Sequence, residues 1–159
     1  MLTLEVDIAS QTLALLRNGK KIKSYSVSTA KNGAGEIQGS EQTPRGWHII
    51  RAKIGDNCAA NTVFVERRPT GELFAAGMRE KYPNRDWILT RILWLSGLEV
   101  GKNRLGQVDT MQRYIYIHGT PDDVAVGAPG SRGCVRMRNT DIIELFRTIP
   151  LGTKTFISD

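Results

Sequence analysis

Alternation of apolar and polar residues dominates the first part of the chain and predicts strands. Residues 2–8 and 12–17 alternate on either side of a short polar connection, as half-buried strands do. Asn18-Gly19 then matches the two-residue type I′ turn of a β-hairpin. Residues 20–28 continue the alternation, so we predict an antiparallel β-meander at the N-terminus.

The middle of the chain predicts further strands and one long irregular segment. Residues 47–52 and 62–66 are strand candidates. Residues 67–86 are polar and carry two prolines and two glycines, so we expect the longest irregular segment there, typical of a lid over a site. Residues 87–95 are rich in β-formers, but their pattern leaves strand and short helix open.

The C-terminal third combines two strands with one helix. Residues 113–117 predict a strand that delivers His118 at its end, and residues 153–157 predict a last strand. Asn139 can cap a helix between them. The apolar face of this helix comprises Ile142, Ile143, Leu145, Phe146 and Ile149. The fold class that follows is mainly β, with one helix packed against the strands.

Composition favours one globular domain. The 159 residues are 40% hydrophobic and 24% charged, as in ordinary globular proteins, and no apolar run approaches the roughly 20 residues that span a bilayer. We therefore expect no membrane partner. Residues 1–8 have neither the basic region nor the cleavage site of an export signal. With Met1 as the native start we expect a cytoplasmic protein, and a periplasmic one if a leader once preceded Met1.

The formal charge of +6 predicts an anionic partner. Arg132, Arg136 and Arg138 form the densest basic cluster and surround Cys134. This clustering favours an acidic substrate, and we expect no nucleic-acid partner because no recognition motif accompanies the charge. The other cysteine, Cys58, is interpreted as an unpaired loop side chain, since a bridge between the two cysteines would consume the thiol.

Two short segments carry the candidate chemistry, Ile117-His118-Gly119-Thr120 and Ser131-Arg132-Gly133-Cys134. A thiol near neutral pH needs a base to become a nucleophile. His118 is the candidate base, whereas His48 lies in another element and is interpreted as a structural strand residue. Gly133 permits a tight turn, so we predict that the amides of Gly133 and Cys134 face a developing oxyanion.

Structural alternatives stay open for these residues. Cys134 could be an inert buried thiol, and His118 could end a strand in a satisfied hydrogen bond. The Gly119 carbonyl could orient His118, and Ser131 could bond the thiol, the histidine or a turn amide. Arg136 could bind a substrate carboxylate or remain a solvated surface side chain.

The sequence also contains residues of the types that line a substrate groove or bind a metal. Trp87, Trp94 and Tyr116 could line a groove, although aromatic residues at strand spacing are more often core. The two histidines and two cysteines are zinc-ligand types, but they lack the paired spacing of a zinc site. We therefore expect neither a metal nor another cofactor.

These segments resemble the catalytic domain of the YkuD-type L,D-transpeptidases. The family's mark is His-Gly-Thr or His-Ser-Thr at a strand end, followed by Ser-X-Gly-Cys-X-Arg. Residues 6–13 resemble its first hairpin, residues 25–29 its next strand, and residues 43–47 its Thr-Pro-X-Gly-aromatic element. The resemblance covers nearly the whole chain. One departure is Arg132, which stands where many members carry a second histidine.

The resemblance implies a single domain over residues 1–159, with a sandwich- or barrel-like, mainly β (α+β) fold. It also implies catalytic roles for Cys134, His118, Gly119, Ser131 and Gly133, and substrate binding by Arg136, Arg132, Tyr116 and Thr120. Cys134 would attack the carbonyl at the L-centre of a diamino acid in a peptidoglycan stem and expel D-alanine. Implied partners are a tetrapeptide stem or a nucleotide-linked muropeptide, and carbapenems as inhibitors.

The acceptor of the acyl group decides the activity. Water gives an L,D-carboxypeptidase, and an amine from a second stem gives an L,D-transpeptidase. Because cross-linking takes place outside the membrane, the expected cytoplasmic location favours a carboxypeptidase of cell-wall recycling. A catalytically idle module that only holds stem peptides is the alternative from another class.

Overall fold

The computed structural model describes all residues 1–159 and contains ten strands and two helices. Strands β1 to β10 are Leu2–Asp7, Thr12–Arg17, Lys20–Ser28, Gly46–Ile54, Thr62–Val65, Arg68–Leu73, Ile88–Gly97, Tyr116–Gly119, Val135–Met137 and Lys154–Ser158. Helix α1 is Met78–Lys81 and helix α2 is Asn139–Thr148. Neither helix is long and apolar enough to cross a lipid bilayer.

Eight of the strands close into a barrel. Their order is β4-β10-β1-β2-β3-β9-β8-β7, and β7 pairs back onto β4. Closure leaves no free sheet edge between the first and last strand. The β5–β6 hairpin pairs with β7 outside this ring. The mainly β, barrel-like fold expected from the sequence is confirmed.

The main core fills the space that the barrel encloses. Eighteen buried residues form it, including Leu4 and Val6 from β1, Leu93 and Leu95 from β7, and Ile117 from β8. Alternate residues of each strand point to opposite faces of the sheet. A second, smaller cluster therefore lies on the other face, beneath the β5–β6 hairpin, around Phe64, Ile92 and Tyr116.

Four of the five predicted apolar residues pack into the main core, namely Ile142, Leu145 and Phe146 of helix α2 and its C-cap residue Ile149. The predicted cap is wrong by one position. Arg138 is the N-cap residue and makes no side-chain cap, while Asn139 is already helical. The side chain of Asn139 instead bonds the segment that follows β8. Asn139 is thus of a residue type that favours helix capping, but its side chain makes tertiary hydrogen bonds instead.

The prediction of one long irregular segment over residues 67–86 is partly wrong. Residues Arg68–Leu73 form strand β6 and Met78–Lys81 a short helix. Strand β6 lies at an edge and is mostly exposed, which is where a sheet tolerates proline and glycine. Residues 87–95, left open between strand and helix, form most of β7.

Candidate active site

The candidate nucleophile Cys134 lies at the end of the loop that joins β8 to β9. The two strands are parallel, and Ile117 pairs with Val135 while His118 pairs with Arg136. Ile117 and Val135 point into the main core. Period-two alternation then places Cys134, His118 and Arg136 on the opposite face, towards the β5–β6 hairpin.

A tight turn holds the residues just before Cys134. Ser131 Oγ accepts the Gly133 N–H at 3.1 Å and donates to the Cys134 carbonyl at 2.5 Å. Thr43 Oγ1 donates to the Gly133 carbonyl at 2.9 Å. Gly133 has φ +130°, and a side chain there would press on Ile115. Glycine is therefore required by both backbone conformation and space.

The hydrogen bonds of this turn bear on two predicted catalytic residues. Ser131 Oγ bonds backbone groups of the turn, which supports the turn-stabilising alternative, while its catalytic role stays a prediction. The Gly133 N–H already donates to Ser131 Oγ, so its role as an oxyanion donor also stays a prediction. The amide of Cys134 remains as the candidate donor. Sequence motifs could not reveal that a serine two residues away engages the first amide.

The surroundings of the Cys134 sulfur favour the neutral thiol over the thiolate. Its Sγ accepts the Tyr116 N–H at 3.3 Å and lies 3.4 Å from the Tyr114 carbonyl. Although the residue is partly exposed, burial of the sulfur raises the pKa of the Cys134 thiol to about 12, and the nearby Asp86 carboxylate raises it further. The Tyr116 amide and the charges of Arg136 and Arg113 oppose this shift without cancelling it.

The candidate base His118 is neutral as well and holds its proton on one defined nitrogen. Its Nδ1 lies 2.6 Å from the Gly119 carbonyl, and because a carbonyl only accepts, Nδ1 carries the hydrogen. Nε2 is buried without a hydrogen-bond partner. Burial lowers the pKa of His118, although Asp86 acts in the opposite direction. The unprotonated Nε2 is thus available to accept a proton.

The thiol opens onto a cleft of about 520 Å³ whose lining is rich in charge. Arg67, Arg113 and Arg132 line it together with Glu66 and Asp86. A second lobe of about 340 Å³ shares Asp86 and Arg132 with the first. The second lobe is also lined by Arg79, Arg85, Arg136 and Thr120. Both lobes carry more guanidinium than carboxylate groups, which suits an anionic ligand.

Comparison with known proteins assigns the chain to a family. The family model of the YkuD L,D-transpeptidase catalytic domain matches residues 2–157. The chain belongs to the YkuD family. The putative L,D-transpeptidase YkuD of Bacillus subtilis (strain 168) is 26% identical over 153 residues, which cover 96% of this chain and 63% of that protein.

Solved structures share the fold of this YkuD domain. An L,D-transpeptidase from Mycobacterium smegmatis superposes with a TM-score of 0.60 at 16% identity, covering 99% of this chain and 58% of that one. The L,D-transpeptidase LdtMt1, solved in complex with imipenem, gives a TM-score of 0.60 at 18% identity over the same shares. The chain thus spans less than two thirds of the length of these relatives.

The four predicted substrate-binding residues of the YkuD domain occupy different environments. Arg136 is mostly buried and lies 3.7 Å from Asp86, whereas Arg132 is exposed and donates to the Asn84 carbonyl at 3.3 Å. Thr120 is buried and lines the second lobe. Tyr116 lies beneath the cleft, only 4% exposed, with its hydroxyl 3.0 Å from Arg67. Its position favours support of the cleft over direct binding.

Sequence reasoning missed Arg113 and Asp86, which both border the thiol. The Arg113 guanidinium donates to the carbonyls of Gly35 and Gln42 at 3.2 and 2.6 Å, and so ties the loop after β3 to the cleft. Asp86 reaches the site from the segment before β7. No spacing signal could have found them, because about fifty or more residues separate each contact along the chain.

The remaining candidates are structural. His48 is fully buried in β4 and bonds at both nitrogens, as expected for a strand residue. Cys58 and Cys134 are both free thiols. Trp87 is buried in a small cluster with Val63 and Leu89 and also borders the second lobe of the cleft, as the groove-lining alternative allowed. No group of three His, Cys, Asp or Glu side chains is placed to hold a metal ion.

Proposed function

We propose that this YkuD domain is a cysteine-dependent L,D-carboxypeptidase that removes the terminal D-alanine from peptidoglycan tetrapeptide stems. The observation that carries the proposal is that Cys134, directly before β9, and His118, in the parallel strand β8, lie on one face, where the thiol opens onto an arginine-rich cleft. Stem peptides carry several carboxylates, which planar guanidinium groups bind well. LdtMt1, which shares this fold, has been solved in complex with imipenem, and we expect imipenem to react with Cys134 here.

The neutral resting pair sets the order of proton transfers. His118 Nε2 takes the proton of the Cys134 thiol as Sγ bonds to the scissile carbonyl carbon. The oxyanion that forms is stabilised by the Cys134 amide. When the C–N bond breaks, the His118 imidazolium returns its proton to the leaving amine of D-alanine. Sγ then holds the tripeptide as a thioester.

The excess of guanidinium over carboxylate groups in the cleft supports our proposal that water is the acceptor. An amine acceptor arrives as an ammonium ion, and the guanidinium groups of Arg67, Arg113 and Arg132 repel it. A water molecule carries no charge and can reach the thioester through the same cleft. His118 Nε2 deprotonates the water, the C–S bond breaks, and the Cys134 thiol is regenerated with a tripeptide carboxylate as product.

One observation favours a second candidate, exchange of D-alanine for another D-amino acid. The second lobe carries Arg79, Arg85 and Arg136 and could bind the carboxylate of a free amino acid while its amine attacks the thioester. This reaction is an L,D-transpeptidase activity without cross-linking.

The setting that we propose for hydrolysis is the cytoplasm, where tetrapeptides recovered from wall turnover are the substrates.

Mass spectrometry of the purified protein with a disaccharide-tetrapeptide tests the proposal, with Cys134→Ala as control. We expect loss of one D-alanine to give the tripeptide, and no product with the variant. Dimeric muropeptides, or exchange when a D-amino acid is added, would establish transpeptidation instead. No Cys134-dependent change would favour the idle binding module. Imipenem that adds its mass to the wild type but not to Cys134→Ala would separate a reactive thiol from an inert one.

A further inference from the structure

A buried polar network lies directly behind His118, and the reaction sequence above does not use it. Its centre is Asn139, whose Nδ2 donates to the Thr120 carbonyl at 2.9 Å and to Asn61 Oδ1 at 3.1 Å. Its Oδ1 accepts the Thr90 hydroxyl at 2.5 Å. Thr90 Oγ1 in turn accepts the Asn61 N–H at 3.0 Å. The network therefore joins β7, β8 and the start of α2.

Thr90, which belongs to this network, has an unfavourable backbone conformation. Its φ is +76°, which is rare for a β-branched residue. The register between β7 and β8 jumps there, from Leu89 opposite Gly119 to Ile92 opposite His118. Such bulges are over-represented next to active sites, where they re-aim side chains. Strain of this kind persists only where the surroundings enforce it.

The bulge and Asn139 together enclose Gly119. A Cβ on Gly119 would overlap Asn139 Oδ1 and the Leu89 carbonyl, so Asn139 packs directly against the glycine backbone. Asn139 also holds the next carbonyl, that of Thr120. The peptide unit whose oxygen accepts the His118 Nδ1 hydrogen is thus held from both sides.

We propose that Asn139 is a positioning residue for the base: by holding the Gly119–Thr120 backbone, it keeps the His118 proton on Nδ1 and leaves Nε2 free to accept the thiol proton. The role assigned to Nε2 rests on the proposed function. Without Asn139 the Gly119 carbonyl can turn away, and the hydrogen can then move to Nε2. An imidazole protonated on Nε2 cannot take a proton from Cys134.

The chain offers a matched control at its other histidine. Asn103 is fully buried and donates to the Arg45 and Trp47 carbonyls at 2.9 and 3.0 Å. These carbonyls flank Gly46, whose own carbonyl lies 3.0 Å from His48 Nδ1. Asn103 thus holds the backbone beside His48 as Asn139 holds the backbone beside His118. Asn103→Ala is therefore the matched control, because His48 performs no chemistry.

The test is the ¹⁵N NMR spectrum of the imidazoles in the resting protein. The chain has only two histidines, so His48→Gln and His118→Gln assign every signal. In the wild type we expect His118 with a protonated Nδ1 and a bare Nε2. In Asn139→Ala we expect His118 to become a mixture of tautomers, and the rate of acylation by imipenem to fall about 10- to 100-fold, as for small misplacements of catalytic groups. Asn103→Ala should leave both properties of His118 unchanged.

An unchanged His118 tautomer in a folded Asn139→Ala protein would overturn the proposal. If that variant does not fold, Thr90→Val tests the proposal by the same two measurements, because it removes the hydroxyl that binds Asn139 Oδ1. Thr90→Ser keeps this hydroxyl and should retain the wild-type spectrum. The tautomer is read without any substrate. A failure of the proposed muropeptide activity therefore leaves this result interpretable.

Discussion

The two histidines of the chain occupy similar surroundings on different strands. His48 is 0% exposed and His118 1% exposed, and Nδ1 of each lies against a backbone carbonyl, at 3.0 and 2.6 Å respectively. Burial lowers the pKa of both side chains. They differ at Nε2: that of His48 lies 3.0 Å from Thr110 Oγ1, whereas that of His118 has no partner.

This difference separates the two histidines, although the lack of a partner alone does not mark a reactive group, because buried Trp87 Nε1 has none either. A buried polar atom without a partner destabilises the folded state by roughly 1–3 kcal/mol, so such atoms are rare and call for an explanation. His48 is fully satisfied and contributes only to stability. His118 leaves its acceptor nitrogen open on the face that it shares with Cys134, as acyl transfer requires.

The largest expected effect separates the two histidines by activity. His118→Gln should slow acylation of Cys134 by imipenem about a thousandfold, because general base catalysis contributes typically 10²–10⁴-fold. His48→Gln should change the rate by no more than about threefold. Stopped-flow measurement of acylation on folded samples provides the comparison. Similar losses of acylation rate in both variants would contradict the assignment of His118 as the base and His48 as a structural residue.

A second effect concerns stability in acid. Burial lowers the pKa of His48 to about 4, against about 6.5 in the unfolded chain. The unfolded state then binds more protons between these values, so the stability that His48 contributes is present above about pH 6.5 and is lost as the pH falls towards 4. The loss from His48 is on the order of 3 kcal/mol.

Urea unfolding at several pH values between 4.5 and 7.5 measures this effect. The wild type should change little between pH 7.5 and 6.5 and lose stability as the pH falls from 6.5 to 4.5, and His48→Gln should lose less. An equal slope in the two proteins would show that His48 is not a neutral buried group. Burial raises the pKa of the Glu36 carboxyl, but its bonds to Arg45 outweigh burial and lower the pKa overall. Bonds to Arg85 lower the pKa of Glu72, so both carboxyls act at lower pH.

Removal of the partner of His48 should have a smaller effect, on stability alone. Thr110→Val keeps the shape of the side chain but leaves His48 Nε2 unpaired, like that of His118. We expect a destabilisation of about 1–2 kcal/mol with unchanged acylation of Cys134. Thermal unfolding and the imipenem assay together test this, and a marked loss of activity would argue that the two regions are coupled.

The smallest effect concerns the thiol beside His118. Because burial raises the pKa of the Cys134 thiol to about 12, its alkylation by iodoacetamide should accelerate about tenfold per pH unit through pH 9, as the thiolate fraction grows. Cys58→Ala makes Cys134 the only thiol for this measurement. A plateau below pH 8.5 would indicate a stable thiolate–imidazolium pair at rest.

Much of the fold could be predicted from local pattern, and much of the site could not. Alternation located β1, β2 and β3, and the glycine-flanked thiol pointed to Cys134, whereas the short strand β9 was not predicted and β8 begins three residues later than expected. Strand β6 escaped prediction because an exposed edge strand has no apolar face to reveal it. Asn139 was predicted as a helix cap, yet its partners lie at Thr90 and Thr120, distant in sequence. Long-range polar contacts of this kind leave no local signal.

The most direct test of the central claim is to trap the acyl-enzyme from a tetrapeptide stem by rapid quenching and to weigh the intact protein. We predict a mass increase of one tripeptide acyl group on Cys134 in the wild type and in His48→Gln, and none on this timescale in His118→Gln. An adduct that forms equally fast in His118→Gln would contradict the account, since the thiol would then react without the open nitrogen of His118.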